Sequence, residues 1–413
     1  MGSFYDVIVI GAGAAGIGAG RRLTNAGVSF ALLEARERVG GRALTLPHEF
    51  GPIDLGCGWL HSGDRNVMTA MAEAMGFHVS RTAAPWTRQS GDHGLSGPDQ
   101  ANFAKTFAAF EKRVDEEAEH NPPAAASAYL EPGNRWTPMM NAVFSYISGA
   151  SLDHIDARDY ARYEDTGVNW RVREGYGALI AALGAQLPVE LGVEALSVDY
   201  SGARVRVETQ RGVIEANCAI VTLPTSLIGA LRLTPDVPEK REAALGLPLG
   251  WAEKLYFALD EPEMFPVDGH LFPRFDSADV GSYHLRPSGK RMVEAYFGGA
   301  MAHGLAQAGA AAMEDYAKQE LAELLGSSFP RHLTLLASSS WATDAHALGS
   351  YSYAKPGFAD MRAVLAAPVA ERVFFAGEAC SRARYSTAHG AFQTGYEAAE
   401  QALGALQRSM PTG

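Results

Sequence analysis

Gly11-Ala12-Gly13-Ala14-Ala15-Gly16 is a G-x-G-x-x-G run standing directly after the apolar stretch Tyr5-Asp6-Val7-Ile8-Val9-Ile10. Such a turn can hold a phosphate. The first glycine permits a tight bend, the second lets backbone approach a pyrophosphate, and the third lets the next helix pack on the strand. Unpaired N–H groups at the helix start then face the phosphate charge. In a chain with 44 glycines the pattern alone is weak. Its setting adds weight, because residues 28–33 read as a second buried strand closing on Glu34. A carboxylate there can accept from both ribose hydroxyls and repels a 2′-phosphate. An adenine dinucleotide is implied, with NADP disfavoured and NAD and FAD both open.

Glu34-Ala35-Arg36-Glu37-Arg38-Val39-Gly40-Gly41-Arg42 follows. Arg42, behind two glycines, can reach a pyrophosphate as a charged contact, although a surface turn closed by Gly40 and Gly41 would read the same way. The doublet resembles that of FAD enzymes and favours FAD.

These residues need elements to position them. A chain of 413 residues is long for one domain and can bury two cores. Its composition, 47% hydrophobic and 20% charged, is that of a globular protein. The formal net charge of −12 speaks against a nucleic-acid partner, which needs clustered Lys and Arg. It suits a cationic small molecule weakly, since acidity more often serves solubility. Cys57, Cys218 and Cys380 are odd in number and far apart, so neither a disulfide framework nor a metal site is expected. No basic segment with a cleavage site precedes the first strand and no run of about 18 apolar residues occurs. We therefore expect a cytoplasmic protein with no signal peptide or membrane span.

Parallel-type strand text returns at 193–198, 205–208 and 219–224, and again at 372–376 before Gly377-Glu378, with helical spacing over 388–406. Residues 77–166 read as a mainly helical insertion in which 111–120 forms a solvated face. Alternation at 252–259, 281–285 and 292–297 predicts an antiparallel sheet with one face in solvent. The expected fold class is α/β. A discontinuous Rossmann-type domain at 1–76, 167–250 and 342–413 is joined to an α+β substrate-binding domain, with the antiparallel sheet, at 77–166 and 251–341.

Four blocks in order along nearly the whole chain resemble the flavin-containing amine oxidase family, nearest its polyamine-oxidase-like branch. They are residues 6–42, Asp54-Leu55-Gly56-Cys57-Gly58-Trp59-Leu60-His61, Ala252-Glu253-Lys254-Leu255-Tyr256-Phe257, and 341–395. The resemblance implies that family's fold and a bound FAD. As cofactor-binding positions it implies Gly11, Gly13, Ala15, Gly16, Glu34, Arg36, Gly41, Arg42, Gly58, Trp59, Val193, Trp341, Gly377, Glu378 and Ala388. Glu378 would bind a hydroxyl of the ribityl chain, though alone it reads equally as a capping carboxylate. Thr387-Ala388-His389-Gly390-Ala391 would start a helix aimed at the flavin pyrimidine. Lys254 has two readings. Locally it shares a strand face with Tyr256 and Ala258, ordinarily a solvent face, whereas the family places a lysine in such a strand, joined through water to flavin N5.

The sequence also departs from its relatives. Ser350, in Leu348-Gly349-Ser350-Tyr351-Ser352, stands where monoamine oxidases attach flavin through cysteine, so FAD is expected to be noncovalent. Tyr351 matches the first of two tyrosines that flank the amine in those enzymes, and Thr387 takes the place of the second. That pairing, and His61, resemble polyamine oxidases and histone demethylases more closely, although a lone histidine is often structural. Cys57 replaces a usually smaller residue.

The implied reaction moves hydride from the amine α-carbon to flavin N5, the imine hydrolyses, and O2 reoxidises the flavin to hydrogen peroxide. Lys254, Tyr351, Thr387 and His61 are the catalytic candidates, the substrate a small-molecule amine, the assembly a monomer or homodimer. An L-amino acid oxidase or a desaturase-type flavoenzyme is a second reading. A flavin-binding scaffold, for which 413 residues leave no room for a helical tower, is a third.

Overall fold

The computed structural model describes residues 4–87, 89–91 and 93–409. The larger sheet is built around strand Phe4–Ile10, flanked in parallel by Phe30–Glu34 and Gly212–Val221. Val7 and Val9 point into one core while Ile8 and Ile10 point into the other, and none exceeds 2% exposure. Burial on both faces is what an unbroken apolar run demands, and each such side chain contributes about 1.5–3 kcal/mol. Val189–Leu191 and Val373–Phe375 extend the parallel arrangement.

Of the expected parallel strands, Ala195–Asp199 has one parallel neighbour, Arg232–Thr234, and Val205–Thr209 has none. Ala195–Asp199 and Val205–Thr209 pair antiparallel with each other, and the second pairs antiparallel with the first half of Gly212–Val221. Val205, Val207 and Thr209 are buried while Arg206 and Glu208 are exposed. That alternation belongs to a meander with one wet face.

Helix Ala14–Ala26 and helix Ala388–Ser409 cover the same side of this sheet. They touch backbone to backbone: a Cβ on Gly18 would lie 2.2 Å from the Phe392 carbonyl oxygen, and one on Gly395 would lie 1.9 Å from that of Ala15.

The second sheet is antiparallel throughout, in the order Gly269–Leu271, Ser282–Leu285, Met292–Gly298, Ala252–Leu259, Leu333–Ser338. Leu255, Phe257, Tyr283, Leu285 and Phe297 form its apolar face in a core with Ala302, Met313, Ala317 and Leu321 of helices Gly299–Ala308 and Ala310–Leu325. The expected solvated face is absent, since all of Ala252–Leu259 is buried. Alternation separates polar from apolar side chains, but it does not say whether the polar row meets water or another part of the chain. Here it meets the loop after Ile53–Asp54, with Tyr256 packed among Ile53, Leu55 and Met292.

Residues 77–166 are mainly helical, with Gly97–Glu117, Thr137–Ser148 and Ala157–Ala161. Over 111–120 only Val114 and Ala118 are buried, so most of the charged run is solvated. Among the described residues no helix is long and apolar enough to cross a membrane.

Candidate active site

The glycine turn lies at the end of Phe4–Ile10. Gly11 has φ +100°, a region L side chains rarely enter, and a Cβ on Gly16 would sit 1.8 Å from the Gly11 carbonyl oxygen. Helix Ala14–Ala26 starts after Gly13 with no side-chain cap, which leaves its first N–H groups for an external anion. Gly40 N–H donates to Ala12 (2.8 Å), and a Cβ on Gly41 would lie 3.2 Å from Gly13 Cα. The Glu34 carboxylate accepts from Ala12 N–H (2.8 Å) and Arg36 N–H (2.9 Å), and each oxygen keeps a second lone pair. Val193 N–H donates to the Glu34 carbonyl, Arg36 pairs with Asp344, and Ala15 lies buried under Gly395. A cradle that any Cβ would fill, beside a carboxylate with free lone pairs, fits the pyrophosphate and ribose of a dinucleotide.

Arg42 and Glu378 were assigned separate ligand contacts, yet they meet each other. Arg42 Nη1 donates to Glu378 Oε1 (3.0 Å) and to the Ser350 carbonyl (2.6 Å). Glu378 also accepts from the Ser352 hydroxyl (2.6 Å) and the Ser386 N–H (3.0 Å). Burial would raise this carboxyl, but Arg42 and the Ser352 bond hold it below its ordinary range. Ser352 accepts in turn from Arg362 Nη1 (3.0 Å), whose guanidinium is bidentate to buried Asp159 (2.6 and 2.8 Å). Sequence reading missed Arg362 and Asp159 because 203 positions separate them. Gly377, φ +142°, donates to Thr394 Oγ1 just before Glu378.

Lys254 is buried, so the solvent reading fails. Its Nζ donates to the Asp54 carbonyl (3.1 Å) and lies 3.1 Å from Glu294 Oε1. Tyr256, two residues on and on the same face, donates to that same carbonyl (3.2 Å). Together they grip the loop that carries Gly58, where a Cβ would stand 3.2 Å from Nζ. Trp341 holds the loop from another side, its Nε1 donating to the Leu55 carbonyl (2.8 Å). Trp59 lies under the Arg171 guanidinium at 4.1 Å. Arg171 Nη2 meets Glu294 Oε2 at 2.6 Å. Burial would raise the Glu294 carboxyl, and Arg171 and Lys254 more than reverse that. An acidic residue inside the apolar 292–297 alternation was the available signal for Glu294.

Tyr351 donates to the Tyr146 carbonyl, so the Tyr296 hydroxyl 2.8 Å away is the donor to Tyr351. The Tyr351 ring is thereby fixed with its proton committed, and Tyr146 packs edge-on to Tyr296. Thr387 acts as the cap of helix Ala388–Ser409, its hydroxyl accepting from Gly390 N–H (3.0 Å), and Ala388 packs on the core beneath.

His61 Nδ1 is 2.7 Å from Asn169 Oδ1. Asn169 Nδ2 donates to Gly167, so Oδ1 is the acceptor and His61 carries its proton on Nδ1, with the lone pair on Nε2. Burial lowers the His61 pKa against the Asn169 bond, which keeps the ring neutral. His389, whose pKa burial lowers to about 3, accepts from Asn66. The Ser350 hydroxyl donates to the Ala252 carbonyl (2.7 Å) and accepts from its N–H (2.9 Å). Cys57 is pushed up to about 12 by burial and then by Asp54.

Comparison with known proteins bears on the family and the fold. The sequence model of the family described as flavin containing amine oxidoreductase matches residues 14–403. Polyamine oxidase 4 of Oryza sativa subsp. japonica is 28% identical over 441 residues, covering 96% of this chain and 88% of that one. The solved cyclohexylamine oxidase from Brevibacterium oxydans IH-35A has a TM-score of 0.81 at 18% identity, covering 98% of this chain and 100% of its own. Wild-type putrescine oxidase bound to putrescine gives 0.77 at 17% identity, covering 97% and 99%. The structural likenesses establish a shared fold, and the family match over nearly the whole length establishes more: the chain belongs to the flavin-containing amine oxidoreductase family.

Proposed function

We propose that this protein is an amine oxidase with noncovalent FAD and O2 as electron acceptor, releasing hydrogen peroxide. The observation that carries the reading is Lys254, a buried cation clamped to the Asp54 carbonyl beside Gly58 and Trp59. The larger sheet and its glycine turn serve the dinucleotide, and the second sheet with the helical insertion serves the amine. When bound, the flavin supplies the two-electron acceptor for the carbon next to the amine nitrogen and passes the pair to oxygen.

The chain's own groups orient the reactants. Glu34 accepts from the ribose, and the N–H groups at the start of Ala14–Ala26 hold the pyrophosphate, with Arg36, Val193 and Ala15 around them. Arg42 and Glu378 brace each other at the centre, Gly377 and Ala388 flanking. Tyr351 presents a ring whose hydroxyl proton is already committed, which suits a neutral amine with a free lone pair. His61 offers a neutral Nε2 that can accept from an amine N–H, and Lys254 places positive charge where oxygen is reduced. Arg171, the guanidinium over Trp59, is committed to Glu294, so it is not a free anchor for an amino-acid carboxylate.

Anaerobic mixing with primary amines, polyamines, cyclic amines and amino acids tests the function. Bleaching of the flavin band by amines is expected; bleaching by amino acids alone, or by none of them, would overturn it. With an amine that bleaches, kcat/KM should rise with pH through the substrate's own ionisation. His61, held below its ordinary pKa, is already neutral there and adds no second step. A flat profile would exclude the neutral amine as the reacting form.

Since the Ser350 hydroxyl is engaged with Ala252 and offers no thiol, acid precipitation should leave all yellow colour in the supernatant. Colour in the pellet would refute noncovalent binding.

A further inference from the structure

One face of the second sheet carries two rows of polar side chains by register: Lys254, Tyr296 and Ser282 in one, Tyr256, Glu294, His284 and His270 in the next. Glu294 stands at the junction. Its Oε1 lies 3.1 Å from Lys254 Nζ, and its Oε2 lies 2.6 Å from Arg171 Nη2. Tyr256 lies opposite it in register on one side and His284 on the other, with His284 Nδ1 3.9 Å from Oε2 and Nε2 3.0 Å from Asp268. All three members of the trio have side chains at most 16% exposed.

One buried carboxylate thus answers two buried cations. A lone buried charge is costly, and the carboxylate shared between Lys254 and Arg171 offsets that cost for both. The two cations serve different parts of the site: Lys254 holds the Asp54 carbonyl, and Arg171 covers the Trp59 ring five positions further along the same loop. Resting on the reading that Lys254 stands next to the flavin, we propose that Glu294 is a positioning residue that couples Lys254 to the Arg171-covered Trp59 and sets the net charge of the trio Lys254, Arg171 and Glu294 at one positive unit.

Charge near a flavin shifts its reduction potential, because positive charge favours the reduced, more negative state. The trio therefore makes a pattern of opposite signs. Glu294→Gln keeps the shape, removes the negative charge, and raises the potential of the bound flavin. Arg171→Met removes a positive charge and lowers it. The double variant, which restores the count, returns toward the parent value. Loosened packing would not give effects of opposite sign that cancel.

The experiment is an equilibrium reductive titration of the flavin-loaded protein against a reference dye, for the parent, Glu294→Gln, Arg171→Met, the double variant and Lys254→Met. Thermal unfolding is followed in parallel. The expected order is Glu294→Gln above the parent, the double variant close to it, and Arg171→Met and Lys254→Met below. If Lys254→Met lowers the potential while Glu294→Gln and Arg171→Met leave it unmoved, the role assigned to Glu294 is wrong and the reading of Lys254 stands. If Lys254→Met also leaves it unmoved, the reading beneath the proposal is wrong. Should Glu294→Gln fail to fold, Arg171→Met decides: a lowered potential supports the proposal and an unchanged one overturns it.

Discussion

Lys254→Met is expected to keep its flavin and lose oxygen-dependent turnover by about a hundredfold or more, the scale of removing one preorganised polar group from an active site. The fold should survive. Methionine replaces the lysine stem within the buried strand, Tyr256 still donates to the Asp54 carbonyl, and Glu294 keeps Arg171 as its partner. The loss should be concentrated in the oxidative half-reaction. Rapid mixing of pre-reduced protein with oxygenated buffer measures it directly, and anaerobic bleaching by amine provides the comparison. Unchanged reoxidation would make Lys254 a structural cation that only pins the loop at Gly58.

Gly16→Val is the second large effect, and it acts through shape. A Cβ at position 16 would lie 1.8 Å from the Gly11 carbonyl oxygen and 3.3 Å from Leu32 Cδ1. The nearer atom is backbone, so no rotamer change relieves the clash. Overpacking a core costs about 1–3 kcal/mol when side chains can shift, and here the helix start itself must move off the strand. Protein purified from this variant should be colourless, with a lower thermal midpoint. Gly97→Ala is the control, since a Cβ there meets nothing within 4 Å. A yellow, normally stable Gly16→Val protein would show that this helix start does not hold the cofactor.

What the sequence showed and what it hid divide along sequence distance. The glycine turn was legible because strand, turn, helix and Glu34 lie within one short stretch, and Glu34 indeed bonds Ala12 across 22 positions. Lys254 was misread from its own strand, because the pattern of Ala252–Leu259 cannot reveal that a loop some 200 residues earlier covers its polar face. Glu294 and Arg171, 123 positions apart, went unnoticed for the same reason. Arg42 and Glu378 each stood out in their own motifs, but their mutual pairing across 336 positions did not. The strands at 195–199 and 205–209 show a local limit instead, since β-branched text identified strands without giving their direction.

The contact between helices Ala14–Ala26 and Ala388–Ser409 bears on when this protein can be made whole. Arg22 and Glu400, which pair across it, are 378 positions apart. At about 5–20 residues per second, a ribosome needs on the order of half a minute to deliver the second helix after the first. Throughout that time the side of Ala14–Ala26 around Ala15 and Gly18 lacks its covering helix. The nascent chain therefore carries the helix after the glycine turn with an uncovered apolar flank until translation has passed the region of Gly395.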